Sequence, residues 1–377
     1  MRDFQLAICA RVIAKADREH PADAVLRAEL KAAKGISRTD GGMISRAVFA
    51  YYRWYGWLNP KAPIAEQINE AVDRDHSFSK HLDGISPPEF EQAIPKWAKQ
   101  HIKVSTEWLR QLQTQPRLWL RAHPGQGKGL AERLGECWLA GDGLLSDALR
   151  YQGAEDLFRT PEFHAGEFEL LDINSQAVGW VCNPQPGETW WDACAGEGGK
   201  LLHLGDLMRN KGLIWASDRA EWRLQKLKRR TARAKMFNYR AVLWDGGAKL
   251  PTKTKFDGIL VDAPCSGVGT WQRNPQARWT TTAQDVAELS AVQTNLLANV
   301  VVALKPGGRL IYSVCTLTEA ETYGVADAIS RRFPKLQPRP FSNPFRPGEP
   351  AAESLLLWPQ DTGGNGMFIR AWRKGTV

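Results

Sequence analysis

Two cysteines stand where a thiol can act. Residues 261–270, VDAPCSGVGT, set Cys265 between a proline and Ser-Gly, just after an apolar run that ends in Asp262. Residues 310–316, LIYSVCT, set Cys315 at the end of a second such run. A thiolate can add to an electron-poor carbon and so activate its neighbour. Addition to carbon 6 of cytosine makes the ring an enamine, and carbon 5, otherwise a poor nucleophile, can then accept a methyl group. A base must afterwards take the carbon-5 proton so that the thiol can leave. Either cysteine taken alone could be an inert buried thiol; two at neighbouring strand ends argue for chemistry.

Four acids share this placement. Asp192, Asp218, Asp245 and Asp262 each close a strand-like run: ETWWD, GLIWASD, YRAVLWD and FDGILVD. The glycine-rich DACAGEGGK that begins at Asp192 lets backbone amides approach a ligand closely, but it lacks the GxGxxG spacing of dinucleotide binders. Asp218 can accept both hydroxyls of a ribose. The arrangement suits S-adenosylmethionine (SAM) at least as well as a nicotinamide cofactor, with Asp245 near the adenine amino group. Each acid singly could instead cap a helix or sit in a loop.

The elements that must position these residues read as strand, turn and helix in alternation from about residue 166. A long helix is expected at 283–303, leading through KPGG into RLIYSVC. Such units imply an α/β fold, a Rossmann-like mostly parallel sheet covered on both faces, with ligands beyond the carboxyl ends of its strands. Thr318 and Glu321 have T-x-x-E spacing, which predicts a capping box and a helix that begins just beyond Cys315, its dipole favouring the thiolate. Capping is a sufficient role for Glu321.

Upstream, AVLRAELKAAK, MISRAVFAYYRWYGWL and APIAEQINEAV carry helical spacing. HLDGISPPEFEQAIP, with three prolines, reads as a linker. Residues 96–165 mix the strand-like PRLWLRAHP with the helical GKGLAERLGE. The partition expected is 1–95, a helical module and linker; 96–165, a small α+β module; and 166–377, the α/β domain.

A net charge of +9 and a pI near 9.3 over 377 residues favour a polyanionic partner. Within 219–240 nine cations face one anion, Glu221, which is either a solvated helix face or a phosphate-facing surface. The six cysteines form no CxxC pair and no zinc spacing, so free thiols in a reducing cytoplasm and no metal are expected. No run approaches the ~20 apolar residues of a membrane span, and the charged N-terminal stretch does not read as a signal peptide. A cytoplasmic monomer with no membrane contact is expected.

The sequence resembles the Sun-type (RsmB-like) SAM-dependent RNA cytosine-5 methyltransferases, over roughly 100–377 and most strongly over 186–325. PGETWWDACAGEGGK is similar to the family's strand and SAM loop, and DAPCSGVGTWQRNPQARW to its Pro-Cys motif with the Arg-Asn-Pro…Trp segment that follows. KPGGRLIYSVCTLTEAE matches its catalytic-cysteine motif, GEFELLDINSQAV the opening segment of the domain, and GGNGMFIRAWRK the closing strand. The resemblance implies that Cys315 is the nucleophile and that Cys265 helps release the product. It implies SAM contacts from Cys194, Ala195, Gly196, Glu197, Gly198, Gly199 and Lys200, and from Asp218, Asp245 and Asp262. Asp262 is also placed to meet the polar edge of the cytosine, and so joins the two cysteines as a catalytic candidate. It further implies that 96–165 binds RNA and that the N-terminal helices are NusB-like.

Three departures stand out. Gly196-Glu197 replaces Ala-Pro in the SAM loop; were Glu197 to face the methionine carboxylate, Lys200 could compensate. Val314 replaces Thr before the nucleophile, and Gly-Asn precedes the closing strand where Asp is usual. Ribosomal RNA is the expected substrate ahead of transfer RNA. A catalytically silent RNA-binding or assembly factor is the alternative from another class. A DNA cytosine-5 enzyme would leave Cys315 unexplained and would need a large insertion near the C-terminus.

Overall fold

The structure, a computed structural model, describes residues 1–33, 35–80 and 87–376. It divides into two compact units, Met1–Pro116 with Gly267–Asp285, and Arg117–Ser266 with Val286–Val377. These do not follow the expected boundaries at 95 and 165.

The first unit is helical: Asp3–Lys15, Ala22–Ala32, Arg38–Trp54 and Ile64–Lys80, then the short Lys96–Gln100 and Thr106–Gln111. Of the expected linker, 81–86 lies outside the described residues. The part that follows is not loose: Pro87–Ala93 is a 3-10 helix, and Phe90, Ala93 and Ile94 are buried. Residues 267–285, read in the sequence as part of a catalytic motif, complete this unit's core. Trp271 is fully buried, its ring 5.9 Å from that of Trp97 and 6.2 Å from that of Trp108. Arg278, also fully buried, donates to the carbonyls of Trp271, Leu112, Arg53 and Ala93. Four carbonyl dipoles offset the desolvation of one guanidinium.

The second unit carries two sheets. Strands β1 (Leu118–Ala122), β2 (Cys137–Leu139), β3 (Ala148–Tyr151) and β4 (Phe168–Leu170) form an antiparallel sheet in the order β2-β3-β1-β4. One face packs Leu120, Leu149 and Phe168 against Leu130 of the helix Gly127–Leu134.

The larger sheet has β5 (Thr189–Asp192), β6 (Leu213–Asp218), β7 (Tyr239–Leu243), β8 (Phe256–Asp262), β9 (Leu304–Val314), β10 (Leu336–Pro338), β11 (Ser354–Leu357) and β12 (Met367–Lys374). Its order is β10-β12-β9-β8-β5-β6-β7, with β11 also paired to β12. The β7-β6-β5-β8-β9 core is parallel, and β12 runs antiparallel against β9. This is the SAM-methyltransferase α/β architecture expected from the sequence. Strand order reverses beside β5, so the crevice beyond its carboxyl end is where a ligand should lie. Apolar layers cover both faces, one with Trp190, Leu201, Leu204 and Ile311, the other with Trp191, Ile259, Leu297 and Tyr312. Among the described residues no helix is long and apolar enough to cross a membrane.

Candidate active site

The parallel strands deliver their terminal residues to one cavity of about 470 Å³. It is lined by all ten candidate cofactor positions except Gly198, by Cys265 and Cys315, and by Asp192.

The turn after β5 explains the cofactor half. Asp218, at the end of β6, accepts from the Gly196 amide at 3.0 Å and the Ala220 amide at 2.8 Å, so one carboxylate ties the glycine loop to the neighbouring strand. Gly196 has φ +54° and Gly198 φ +90°, backbone that favours glycine. A Cβ on Gly198 would stand 2.9 Å from Leu227, so this residue closes the turn behind the cavity wall. Gly199 opens the helix Gly199–Leu207, and the Ala195 amide donates to the Ser217 carbonyl at 2.8 Å. Burial pushes the Cys194 thiol well above its ordinary range, which marks it as a wall residue. Asp245, just past β7, accepts from the Gly247 amide at 2.8 Å.

Glu197 does not turn on a ligand carboxylate, and Lys200 does not compensate it. The Glu197 carboxylate pairs at 2.7 Å with Lys226 on the basic helix Glu221–Arg233. Lys200 instead donates to Asp262 at 2.7 Å, while Ser313 donates to the other oxygen of Asp262 at 2.7 Å. Burial works against the Lys200 charge, but Asp262 holds the ammonium above the usual lysine value.

Asp192 is buried, and neither of its oxygens has a hydrogen-bond partner in the structure. Burial pushes its carboxyl up to about 8; Asp262 adds to the rise and Lys200 opposes it. An unpartnered acid beside the cavity suits a cationic ligand.

At the other end of the cavity the Cys265 and Cys315 sulfurs are 3.4 Å apart. This contact draws Cys315 below its ordinary value, against burial and the charge of Asp262 and with help from Lys200. The helix expected just beyond Cys315 is not what does this. The next helix starts at Tyr323, too far along the chain for its dipole to act on the thiol.

Glu321 correspondingly caps nothing. Fully buried, it gathers the two cysteine loops. One oxygen accepts from the Ser266 amide at 2.8 Å and the Gln293 side chain at 2.9 Å. The other accepts from the hydroxyls of Ser266 at 2.5 Å, Thr318 at 2.8 Å and Thr316 at 3.2 Å. Gln293 also donates to the Pro264 carbonyl at 2.9 Å and accepts from Tyr312 at 3.0 Å. The residue after each cysteine is thus fastened to one carboxylate.

The sequence reading also missed the apolar walls Leu171, Trp244, Val292 and Leu296. Trp244 directly precedes Asp245 and could have been found from that; the others carry no local signal.

The basic helix divides into two sets. Arg230 and Arg233 both pair with Glu169 of β4, which is 2% exposed, and Arg233 lies 3.7 Å from the Phe163 ring centroid. They are structural anchors. Lys228 and Arg229 stand exposed.

A family model described as 16S rRNA methyltransferase RsmB/F matches residues 180–373. A probable ribosomal RNA small subunit methyltransferase B of Synechocystis sp. is 32% identical over 358 residues, covering 90% of this chain and 75% of that protein. A tRNA (cytosine(72)-C(5))-methyltransferase of Mus musculus is 36% identical over 184 residues, 45% of this chain and 38% of that protein. Among solved structures, a methyltransferase homolog protein from Pyrococcus horikoshii is similar with a TM-score of 0.61 and 26% identity, covering 71% of this chain and 90% of that one.

Proposed function

The chain belongs to the RsmB/F family of 16S rRNA methyltransferases, SAM-dependent enzymes, and from that premise we propose that it forms 5-methylcytosine in RNA through a covalent cysteine adduct. The observation that carries this reading is the pair of sulfurs 3.4 Å apart in the cavity that also holds the glycine loop and the strand-end acids.

The cavity residues fit SAM. The Gly196 turn presents backbone close to the ligand, Asp218 offers a carboxylate for ribose hydroxyls, and Leu171, Trp244, Val292 and Leu296 give apolar surface for adenine. When bound, SAM supplies an electrophilic methyl group.

Lys200 and Asp262 face the polar edge of the target base, and Ser313 fixes the Asp262 carboxylate. Cys315, as thiolate, adds to carbon 6, and the electron pair of the broken 5,6 double bond becomes available at carbon 5. After carbon 5 has taken its methyl group, Cys265 removes the proton there. The electrons of that C–H bond restore the double bond, the carbon–sulfur bond breaks, and Cys315 leaves as thiolate. Glu321 holds both loops while the sulfurs exchange roles.

The two thiols are separable by experiment. Cys265→Ala should accumulate a SAM-dependent protein–RNA species that survives a denaturing gel. Cys315→Ala should lose both methylation and the adduct, and the double variant should match it. The opposite pattern, RNA trapped by Cys315→Ala and a dead Cys265→Ala, would reverse the assignment.

Ribosomal RNA is the proposed substrate, supported by the family and by the Synechocystis relative that spans most of the chain. The mouse relative favours transfer RNA as the second reading. We place the enzyme in the cytoplasm as a monomer, with 1–95, 96–165 and 166–377 as helical, RNA-binding and catalytic modules by role. Bisulfite sequencing of total RNA from a deletion strain identifies the target: a missing 5-methylcytosine in rRNA supports the first reading, and one in tRNA the second.

A further inference from the structure

The small antiparallel sheet carries a row of side chains that its own packing does not use. Its outermost strand, β2, is three residues long and lies at the edge of the order β2-β3-β1-β4. In the paired register Trp138 of β2 stands opposite Arg150 of β3, and Arg150 stands opposite Trp119 of β1. The three therefore share one face, with Cβ atoms of successive partners ~5 Å apart. The inner end of the row is fixed: Trp119 is 6% exposed and its indole donates to the Gly363 carbonyl at 2.9 Å. The outer end is open, Trp138 being 50% exposed.

An exposed tryptophan alone is ordinary. This one stands beside concentrated positive charge. Arg117 precedes β1 on the same face, diagonal to Arg150. Burial and the charge of Arg150 together lower the Arg117 guanidinium below its usual value, a sign that two cations crowd here. Arg117 is also laid against Gly363, where a Cβ would come within 2.3 Å of it, so its position is set by the fold. Two guanidiniums held close cost Coulomb energy that an anion between them would recover. A flat indole beside an anion site matches a nucleotide, base on the ring and phosphate on the arginines.

We propose that Trp138, Arg150 and Arg117 form a second RNA contact that takes an unpaired nucleotide of the substrate, apart from the cytosine in the cavity. The reading rests on RNA being the substrate. Strand β4, at the opposite edge of this sheet, runs directly into Leu171, which lines the cavity. Three strand spacings, on the order of 14 Å, separate β2 from β4, a span that a few nucleotides of single strand can cover. The two contacts together would select a cytosine by its distance from an unpaired neighbour.

Crosslinking tests this on the full chain. A single-stranded oligoribonucleotide carrying 5-bromouridine is bound and irradiated, and tryptic peptides are mapped. The peptide 134–150, which contains Trp138, should carry crosslinked nucleotide. Trp138→Ala should weaken binding of that single strand by roughly 5- to 150-fold, and Trp138→Phe should recover most of it. SAM affinity by calorimetry should stay at the wild-type value in both. Crosslinks on cavity peptides with none on 134–150, or unchanged affinity in Trp138→Ala, overturn this contact while leaving the RNA substrate standing. A wild-type chain that binds no RNA overturns both, and a partner protein as occupant would leave RNA affinity unmoved.

Discussion

Replacing Glu321 with glutamine asks how much of the catalytic geometry one carboxylate holds. On one oxygen sit the Ser266 amide and the Gln293 side chain; on the other sit three hydroxyls, of Ser266, Thr316 and Thr318. Glutamine keeps a carbonyl, so the first two bonds survive as neutral ones. Its amide group has two hydrogens for three hydroxyls, and one buried hydroxyl loses its partner. Removing the charge from the retained bonds and stranding that hydroxyl costs about 2–4 kcal/mol. At ~2–4 °C per kcal/mol for a unit of this size, the melting temperature should fall by several degrees. The larger effect should be on turnover. Ser266 and Thr316 each follow a reacting cysteine, so slack in this network is slack between the sulfurs, and a misplacement of ~1 Å costs on the order of 100-fold in rate. Single-turnover transfer of tritiated methyl into RNA should slow by about that factor. SAM affinity, measured by calorimetry, should stay within ~2-fold, because Asp218 and the glycine loop are untouched. A variant that melts lower but turns over at the wild-type rate would refute the positioning role and leave Glu321 a purely structural residue.

Other perturbations probe the remaining parts of the site. Asp218→Ala removes the carboxylate that ties the Gly196 amide, and SAM affinity should fall roughly 10- to 100-fold; an unchanged dissociation constant would remove Asp218 from cofactor binding. Asp192, with a folded-state value of about 8 against an ordinary 3.8, keeps in the folded chain a proton that the unfolded chain releases from about pH 4 upward. Its contribution to stability is complete below that pH and is lost as pH rises through about 8, so Asp192→Asn should flatten that decline in urea midpoints; parallel declines in both proteins would show the group does not titrate this way. Charge reversal at Lys228 and Arg229 should reduce the salt slope of RNA binding by about one for each phosphate left unneutralised, and an unaltered slope would mean a merely solvated helix face.

The features legible in the sequence are those whose cause is local. Strand runs that end in Asp192, Asp218 and Asp262, and the thiols behind Pro264 and Val314, could be placed because alternation and turn chemistry act over a few residues. What was missed depends on residues far apart in the chain. Glu321 looked like a cap because Thr318 stands three residues before it, whereas two of its partners, Ser266 and Gln293, are 55 and 28 residues away. Arg230 and Arg233 read as free cations because nothing nearby in sequence announces Glu169, 61 and 64 residues upstream. The Arg-Asn-Pro…Trp segment read as part of the α/β domain by continuity with Cys265, yet Arg278 and Trp271 are buried among residues before 117.

That excursion has a consequence for biosynthesis. The helical unit comes first from the ribosome, but its core lacks Trp271 and Arg278 until residue 285 has been made. At ~5–20 residues per second the interval after Pro116 lasts roughly 10–30 s. During it the pocket that will receive Trp271, walled by Trp97 and Trp108, stays open. The N-terminal helices are therefore a client awaiting a later segment, exposed to chaperones for most of translation, and the turn bearing Cys265 emerges only just before the segment that closes them.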